Sequence, residues 1–120
     1  MEPTAAIPPV LNTTGELRLC RADAVEDGEA LRVEVEGRPP LAVYLVDGEY
    51  FVSDDTCSHG EASLSEGSVE GAQIECPWHS GKFCLRTGEA LNFPAVTPIR
   101  VYPAIVRDGA IFIQPVQELT

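Results

Sequence analysis

Cysteine and histidine are the side chains best suited to holding a transition metal, and in this 120-residue chain they are gathered rather than scattered. Both histidines and two of the four cysteines fall in two short boxes, Cys57-Ser58-His59 and Cys76-Pro77-Trp78-His79, separated by the sixteen residues Gly60 to Glu75. Each box offers one soft thiolate and one imidazole, so two loops supply four ligands to a metal centre. Zinc accepts two cysteines and two histidines, but its usual knuckle places like ligands together, C-x2-4-C and then H-x3-5-H. A binuclear iron-sulfur cluster accounts for the mixing better. Two cysteines on one iron and two histidines on the other let each loop span both irons.

The elements that must carry these loops read as strands. Leu17 and Leu19 alternate with Glu16 and Arg18, so a short strand is expected over Glu16 to Cys20, followed by a turn region from Ala22 to Gly28. Leu31, Val33 and Val35 alternate with Arg32, Glu34 and Glu36, the period of a half-buried strand that ends at Gly37-Arg38-Pro39-Pro40. Leu41 to Val46 and Glu49 to Ser53 flank Asp47-Gly48, a pair that tolerates positive φ and suits a hairpin turn. That hairpin delivers the chain to Cys57. After the boxes come a turn at Thr87-Gly88-Glu89 and a loop at Asn92-Phe93-Pro94-Ala95. Ile99 to Val106 and Ala110 to Ile113 then flank Asp108-Gly109, a second hairpin of the same kind. No stretch has a helical period, so the expected fold is all-β, two packed antiparallel sheets or a small barrel, with the ligand stretch inserted on that base.

Hydrophobic residues at 44% and charged residues at 22% describe a folded domain. The first fifteen residues, with Pro3, Pro8 and Pro9 and no periodicity, read as a mobile arm. Met1 to Gly15 has neither the basic start nor the apolar core of an export signal, and the apolar runs are strand-sized, so a cytoplasmic protein is expected. In that reducing compartment four cysteines favour metal ligation over disulfides. A net charge of −11 argues against nucleic acid and anionic membranes as partners and favours basic proteins.

The C-x-H box, the sixteen-residue spacer and the C-P-W-H box, followed by Ser80-Gly81-Lys82-Phe83, resemble a Rieske ferredoxin. The likeness extends from about Leu17 to Val116, through CRADAVEDGEALRV, LRTGEALNFPA and PIRVYP. It implies a Rieske-like fold over residues 16–116, with a cluster-binding part at about 55–95 and a tail at 117–120. It also implies one Rieske-type [2Fe-2S] cluster, with Cys57 and Cys76 on the inner iron and His59 and His79 on the outer iron near the surface. The function implied is that of the electron-carrying component of bacterial aromatic ring-hydroxylating dioxygenases, taking electrons from an NAD(P)H-dependent reductase to a terminal Rieske non-haem iron oxygenase. Such a chain is not catalytic alone. Both histidines are already assigned, which leaves none for the two-histidine, one-carboxylate iron of an oxygenase. A shuttle that visits two partners is most simply a monomer.

An oxidised cluster with two thiolates and two neutral imidazoles sums to zero charge, whereas an all-cysteine cluster is two charges more negative. The neutral form takes up an electron more readily, and Rieske potentials lie at about −150 to +300 mV against about −400 mV for plant-type ferredoxins. Respiratory relatives resemble this pattern but add a loop-to-loop disulfide and hydroxyl donors to the cluster. Ala62, Trp78, Gly81 and Phe83 occupy those places here, so a potential in the lower part of the window is expected.

Other residues carry lesser expectations. Gly60, Gly67, Gly71 and Gly81 fit loops that need unusual φ or close backbone approach. Cys20 and Cys84 have no histidine nearby and read as small buried hydrophobes. Trp78 is placed to shield the cluster or to form a docking surface, and the family likeness puts Pro94 in a third covering loop. Asp54, Asp55, Glu61 and Glu66 either steer a basic partner or form an ordinary solvated surface. The alternatives to the ferredoxin reading are a Rieske subunit of another system such as assimilatory nitrite reductase, a structural zinc-binding interaction module, and a redox-sensing regulator.

Overall fold

The computed structural model describes residues 16–35, 39–57, 62–77, 81–92 and 97–114. The expected arm at 1–15, the tail at 117–120, the Gly37-Arg38 turn, both histidines, Ser58, Gly60, Glu61, Trp78 and Pro94 lie outside them. Among the described residues, ten strands form three antiparallel sheets. The first sheet contains β1 (Leu17–Arg21), β9 (Ile105–Arg107) and β10 (Ala110–Ile113) in the order β1-β10-β9. The second contains β2 (Glu29–Val33), β3 (Leu41–Val46), β4 (Glu49–Asp54) and β8 (Val101–Tyr102) in that order. The third, β5 (Ser68–Glu70), β6 (Gln73–Glu75) and β7 (Lys82–Cys84), lies within the ligand stretch. Among the described residues the only helical pieces are two 3₁₀ turns, Ala22–Ala24 and Leu64–Glu66.

The four-stranded sheet is the middle layer. Leu41 to Tyr44 are all fully buried because side chains on both faces of β3 are covered. Leu41 and Val43 point with Val52 into a cluster containing Leu17, Leu19, Ile111 and Ile113 of the first sheet. Ala42, Tyr44 and Phe51 point the other way, into a second cluster with Leu64, Ile74, Phe83 and Leu85 of the insertion. The β3–β4 register obeys the same parity, Val43 opposite Val52 and Tyr44 opposite Phe51. The insertion therefore rests on an apolar sheet face rather than hanging from a linker. At the rim, Arg86 pairs with Glu49 at 2.9 and 3.0 Å and lies 5.1 Å over the Phe51 ring, tying the insertion to the tip of the β3–β4 hairpin.

Both expected hairpin turns are present. Asp47 and Gly48 have φ of 51° and 81°, and Asp108 and Gly109 have 54° and 74°. These paired positive values match the twist of the flanking strands. The expected single strand from Ile99 to Val106 is not continuous. It is interrupted at Pro103-Ala104, so that β8 pairs with β4 in one sheet and β9 with β10 in another. Pro103 has no N–H to give a ladder, and the break lets the chain change sheets.

Candidate metal centre

Cys57 follows β4 and Cys76 follows β6, and each opens a loop of equal length. The Cys57 N–H donates to the Ala62 carbonyl at 2.9 Å, and the Cys76 N–H donates to the Gly81 carbonyl at 2.7 Å. Beneath the first loop Thr56 bridges Ser63, and beneath the second Glu75 pairs with Lys82. Two hairpin tips of the same span thus present a cysteine at the same corner. Both cysteines belong to the buried cluster under the insertion, 2% and 1% exposed, among Ala62, Leu64, Ile74 and Phe83. None of the four cysteines is in a disulfide.

The donor chemistry fits an iron-sulfur cluster. Two soft sulfur donors sit at matched corners of two loops, shut away from water by apolar side chains, as the inner iron of a mixed cysteine and histidine cluster requires. The spacing of the glycines serves these loops directly. Gly67 has an unstrained φ of −86°, but a Cβ there would lie 1.9 Å from the carbonyl oxygen of Glu75, the residue before Cys76. Gly71 instead has φ +58° and open space around it, as the β5–β6 turn demands. Lys82 N–H donates to Asn92 Oδ1 at 2.7 Å, and Leu91 N–H donates to the Lys82 carbonyl at 2.8 Å, so the segment after β7 folds back along the second loop's outgoing leg.

Three expectations about neighbouring residues need correction. Cys84 is half-buried, not a core residue: on β7 it alternates with buried Phe83 and faces outward. Its thiol hydrogen bonds to the Thr87 side chain, which lowers its pKa. Cys20 is buried as expected, and burial pushes its thiol up to about 11. Asp54 and Asp55 are not freely solvated surface charges. Asp54 accepts a 2.6 Å hydrogen bond from the Tyr102 hydroxyl, and Asp55 is 1% exposed and bonded to Ser63 and Ser65. Glu66 is exposed, as a steering charge must be. The Asp55 contacts escaped the sequence reading, although Ser63 and Ser65, two residues apart beside a ligand box, are the donors such a carboxylate would use.

An all-β scaffold with paired cysteine loops raised on a sheet defines an iron-sulfur domain. Residues 15–103 match the Rieske [2Fe-2S] domain family, and the chain belongs to it. It carries one Rieske-type [2Fe-2S] cluster. The chain is 48% identical over 104 residues to the ferredoxin component of the p-cumate 2,3-dioxygenase system of Pseudomonas putida, covering 86% of this chain and 88% of that one. Among solved structures it is similar to a Sphingomonas yanoikuyae B1 ferredoxin, with a TM-score of 0.81 and 48% identity over 84% of this chain and 99% of the other. The ferredoxin in a complex of reduced oxygenase and oxidised ferredoxin of carbazole 1,9a-dioxygenase superposes with a TM-score of 0.80 at 38% identity, covering 88% and 98%. Among the described residues no helix is long and apolar enough to cross a membrane.

Proposed function

We propose that this protein is a one-electron carrier that takes electrons from an NAD(P)H-dependent reductase and delivers them to the terminal oxygenase of an aromatic ring-hydroxylating dioxygenase system. The observation that carries the reading is the pair of buried cysteines on matched hairpin tips, within a domain that aligns along most of its length with ferredoxin components of such systems. The solved complex of a related ferredoxin with its oxygenase supports an oxygenase as one partner. Cys57 and Cys76 hold the inner iron and His59 and His79 the outer. When bound, the cluster supplies a one-electron redox couple.

The chain's own part is to hold and to insulate. The two loop-closing backbone bonds fix the cysteine corners, and Leu64, Ile74 and Phe83, each 0% exposed, keep water from the sulfur side. The histidine side is left for partners to approach, and the carrier works as a monomer in the cytoplasm without catalysing the oxidation itself. Gly81 and Phe83 have no side-chain donor to offer the centre, which supports a midpoint in the lower part of the Rieske window. A strongly positive midpoint in a redox titration would contradict that placement.

Reconstitution tests the function. Aromatic diol should form when reductase, oxygenase and this protein are combined with NAD(P)H, and fall to background when this protein is left out. Undiminished turnover without it would overturn the proposal. Cys57→Ala and His79→Ala should each abolish the visible spectrum of the cluster, and retention of full iron and sulfide by either would remove it from the ligand set.

A further inference from the structure

The two ligand loops close with the same backbone bond but stand on different foundations. The second rises from a strand ladder: Gln73, Ile74 and Glu75 of β6 pair in register with Cys84, Phe83 and Lys82 of β7. The first leaves β4 at Asp54, and its opposite leg is not a strand. After the single Thr56–Ser63 bridge that leg turns at once into the 3₁₀ turn Leu64–Glu66. One bridge restrains a loop less than a ladder does.

Side-chain bonds from Asp55 stand in for the ladder. Its Oδ1 accepts from the Ser65 N–H at 2.8 Å, and its Oδ2 accepts from the Ser63 hydroxyl at 2.5 Å. Its own carbonyl accepts from the Leu64 N–H at 2.6 Å, and its N–H donates to the Pro40 carbonyl at 3.1 Å. Arg32, reaching from β2, brings a guanidinium nitrogen within 3.5 Å of Oδ2. A buried carboxylate is costly unless donors surround it, and here Ser63 and Ser65 of the opposite leg and Arg32 of the sheet below converge on its two oxygens, while the Leu64 N–H between them is taken by the Asp55 backbone carbonyl.

We propose that Asp55 is the positioning residue of the first ligand loop, its carboxylate clamping residues 63–65 against the Cys57 leg where the second loop relies on β6–β7 pairing. The proposal rests on the reading of Cys57 as a ligand. Because the clamp is a charge two residues from that ligand, it also disfavours the more negative, reduced state of the centre.

The test uses the full-length holoprotein and four variants. Asp55→Asn can still accept from Ser65 and donate to Ser63, so it should keep wild-type iron and sulfide while its midpoint potential moves positive. Asp55→Ala loses both side-chain bonds and should release iron to a chelator roughly tenfold faster, the factor expected for lost hydrogen bonds to a charged group. Ser63→Ala should release iron at an intermediate rate with no positive shift in potential. An unchanged midpoint in Asp55→Asn, or wild-type release from Asp55→Ala, would overturn the proposal. Should Asp55→Ala fail to fold, the Asp55→Asn midpoint and the Ser63→Ala release rate decide. Cys57→Ala separates the two readings: a full cluster in that variant defeats the ligand assignment, whereas its loss together with wild-type release from Asp55→Ala defeats only the role of Asp55.

Discussion

Replacing Gly67 with alanine probes the close approach of the segment after the first ligand loop to Glu75, the residue before Cys76. The glycine sits between the 3₁₀ turn and β5, and its φ of −86° is one that any residue adopts, so the substitution adds volume without forcing a strained backbone. The added Cβ would lie 1.9 Å from the Glu75 carbonyl oxygen and 3.1 Å from its carbon, with the Leu64 carbonyl oxygen at 3.2 Å on the other side. Ordinary contact begins at 3.4 Å, so the backbone must yield by 3.4 − 1.9 = 1.5 Å. Both obstacles are main chain, one of them next to Cys76, and neither can swing aside as a side chain could. Overpacking of this kind costs about 2–3 kcal/mol, and for a domain of this size each kcal/mol lowers the melting temperature by about 4–8 °C. Melting followed by far-ultraviolet circular dichroism and by cluster absorbance should therefore fall by roughly 10 °C or more. Gly67→Asn should be at least as damaging, whereas Gly71→Asn should be mild, because asparagine tolerates the φ of +58° and nothing crowds that site. A Gly67→Ala protein that melts with the wild type would refute the steric argument.

Phe83→Ala removes a fully buried ring from the cluster that contains both cysteines. A loss of about 3–5 kcal/mol is expected by chemical denaturation, with cluster loss preceding or accompanying unfolding. The raised pKa of Cys20, about 11 against 9.0, means that the folded protein keeps a proton the unfolded chain gives up. That contribution is complete below pH 9 and is lost as pH rises toward 11, at most ~2–3 kcal/mol, and Cys20→Ala should flatten this alkaline slope. Thiol alkylation at mildly alkaline pH should modify Cys84 well before Cys20, and Thr87→Ala should slow it by removing the hydrogen bond that favours the thiolate. With a net charge of −11, the rate of electron transfer to a basic partner surface should fall as ionic strength rises, measured by stopped-flow absorbance.

The parts of the molecule legible in its sequence are those governed by neighbours along the chain. Asp47-Gly48 and Asp108-Gly109 announce their turns because few residue pairs accept two positive φ values in succession. Cys57 and Cys76 stand out because the residue types and spacing that suit a metal are chemical rather than conformational requirements, and the structure buries both at the starts of loops of equal length. The strand alternation at Leu31, Val33 and Val35 is equally local, and Val33 and Val35 are buried. What eluded the sequence depends on partners distant in the chain. Each strand of the third sheet is three residues long, too short for its periodicity to stand out, and β6 exists because β5 and β7 flank it. The interruption at Pro103 could be suspected from proline, but the change of sheet is fixed by where β4 and β10 lie. Asp55 was legible as an acid and illegible as a buried one, since only the arrival of residues 63–65 and Arg32 makes it so. Gly67 and Gly71 carry the same letter for two different reasons, space in one case and φ in the other.

The pairing of β1 with β10 sets Leu17 opposite Ile113 and Arg21 opposite Ala110, so the first and last strands run side by side in antiparallel fashion. The chain therefore enters and leaves the domain at one place, on the sheet that packs against the face of the middle sheet opposite the one carrying the insertion. A unit with adjoining ends can be spliced into a surface loop of a larger host, or rejoined and opened elsewhere, without disturbing its interior. The metal loops grow from the other side of the middle sheet, away from that seam. What is attached at the ends and what is offered to redox partners are thus physically separable, which makes the domain a portable cassette whose linkage can change while its electron-transfer face stays the same.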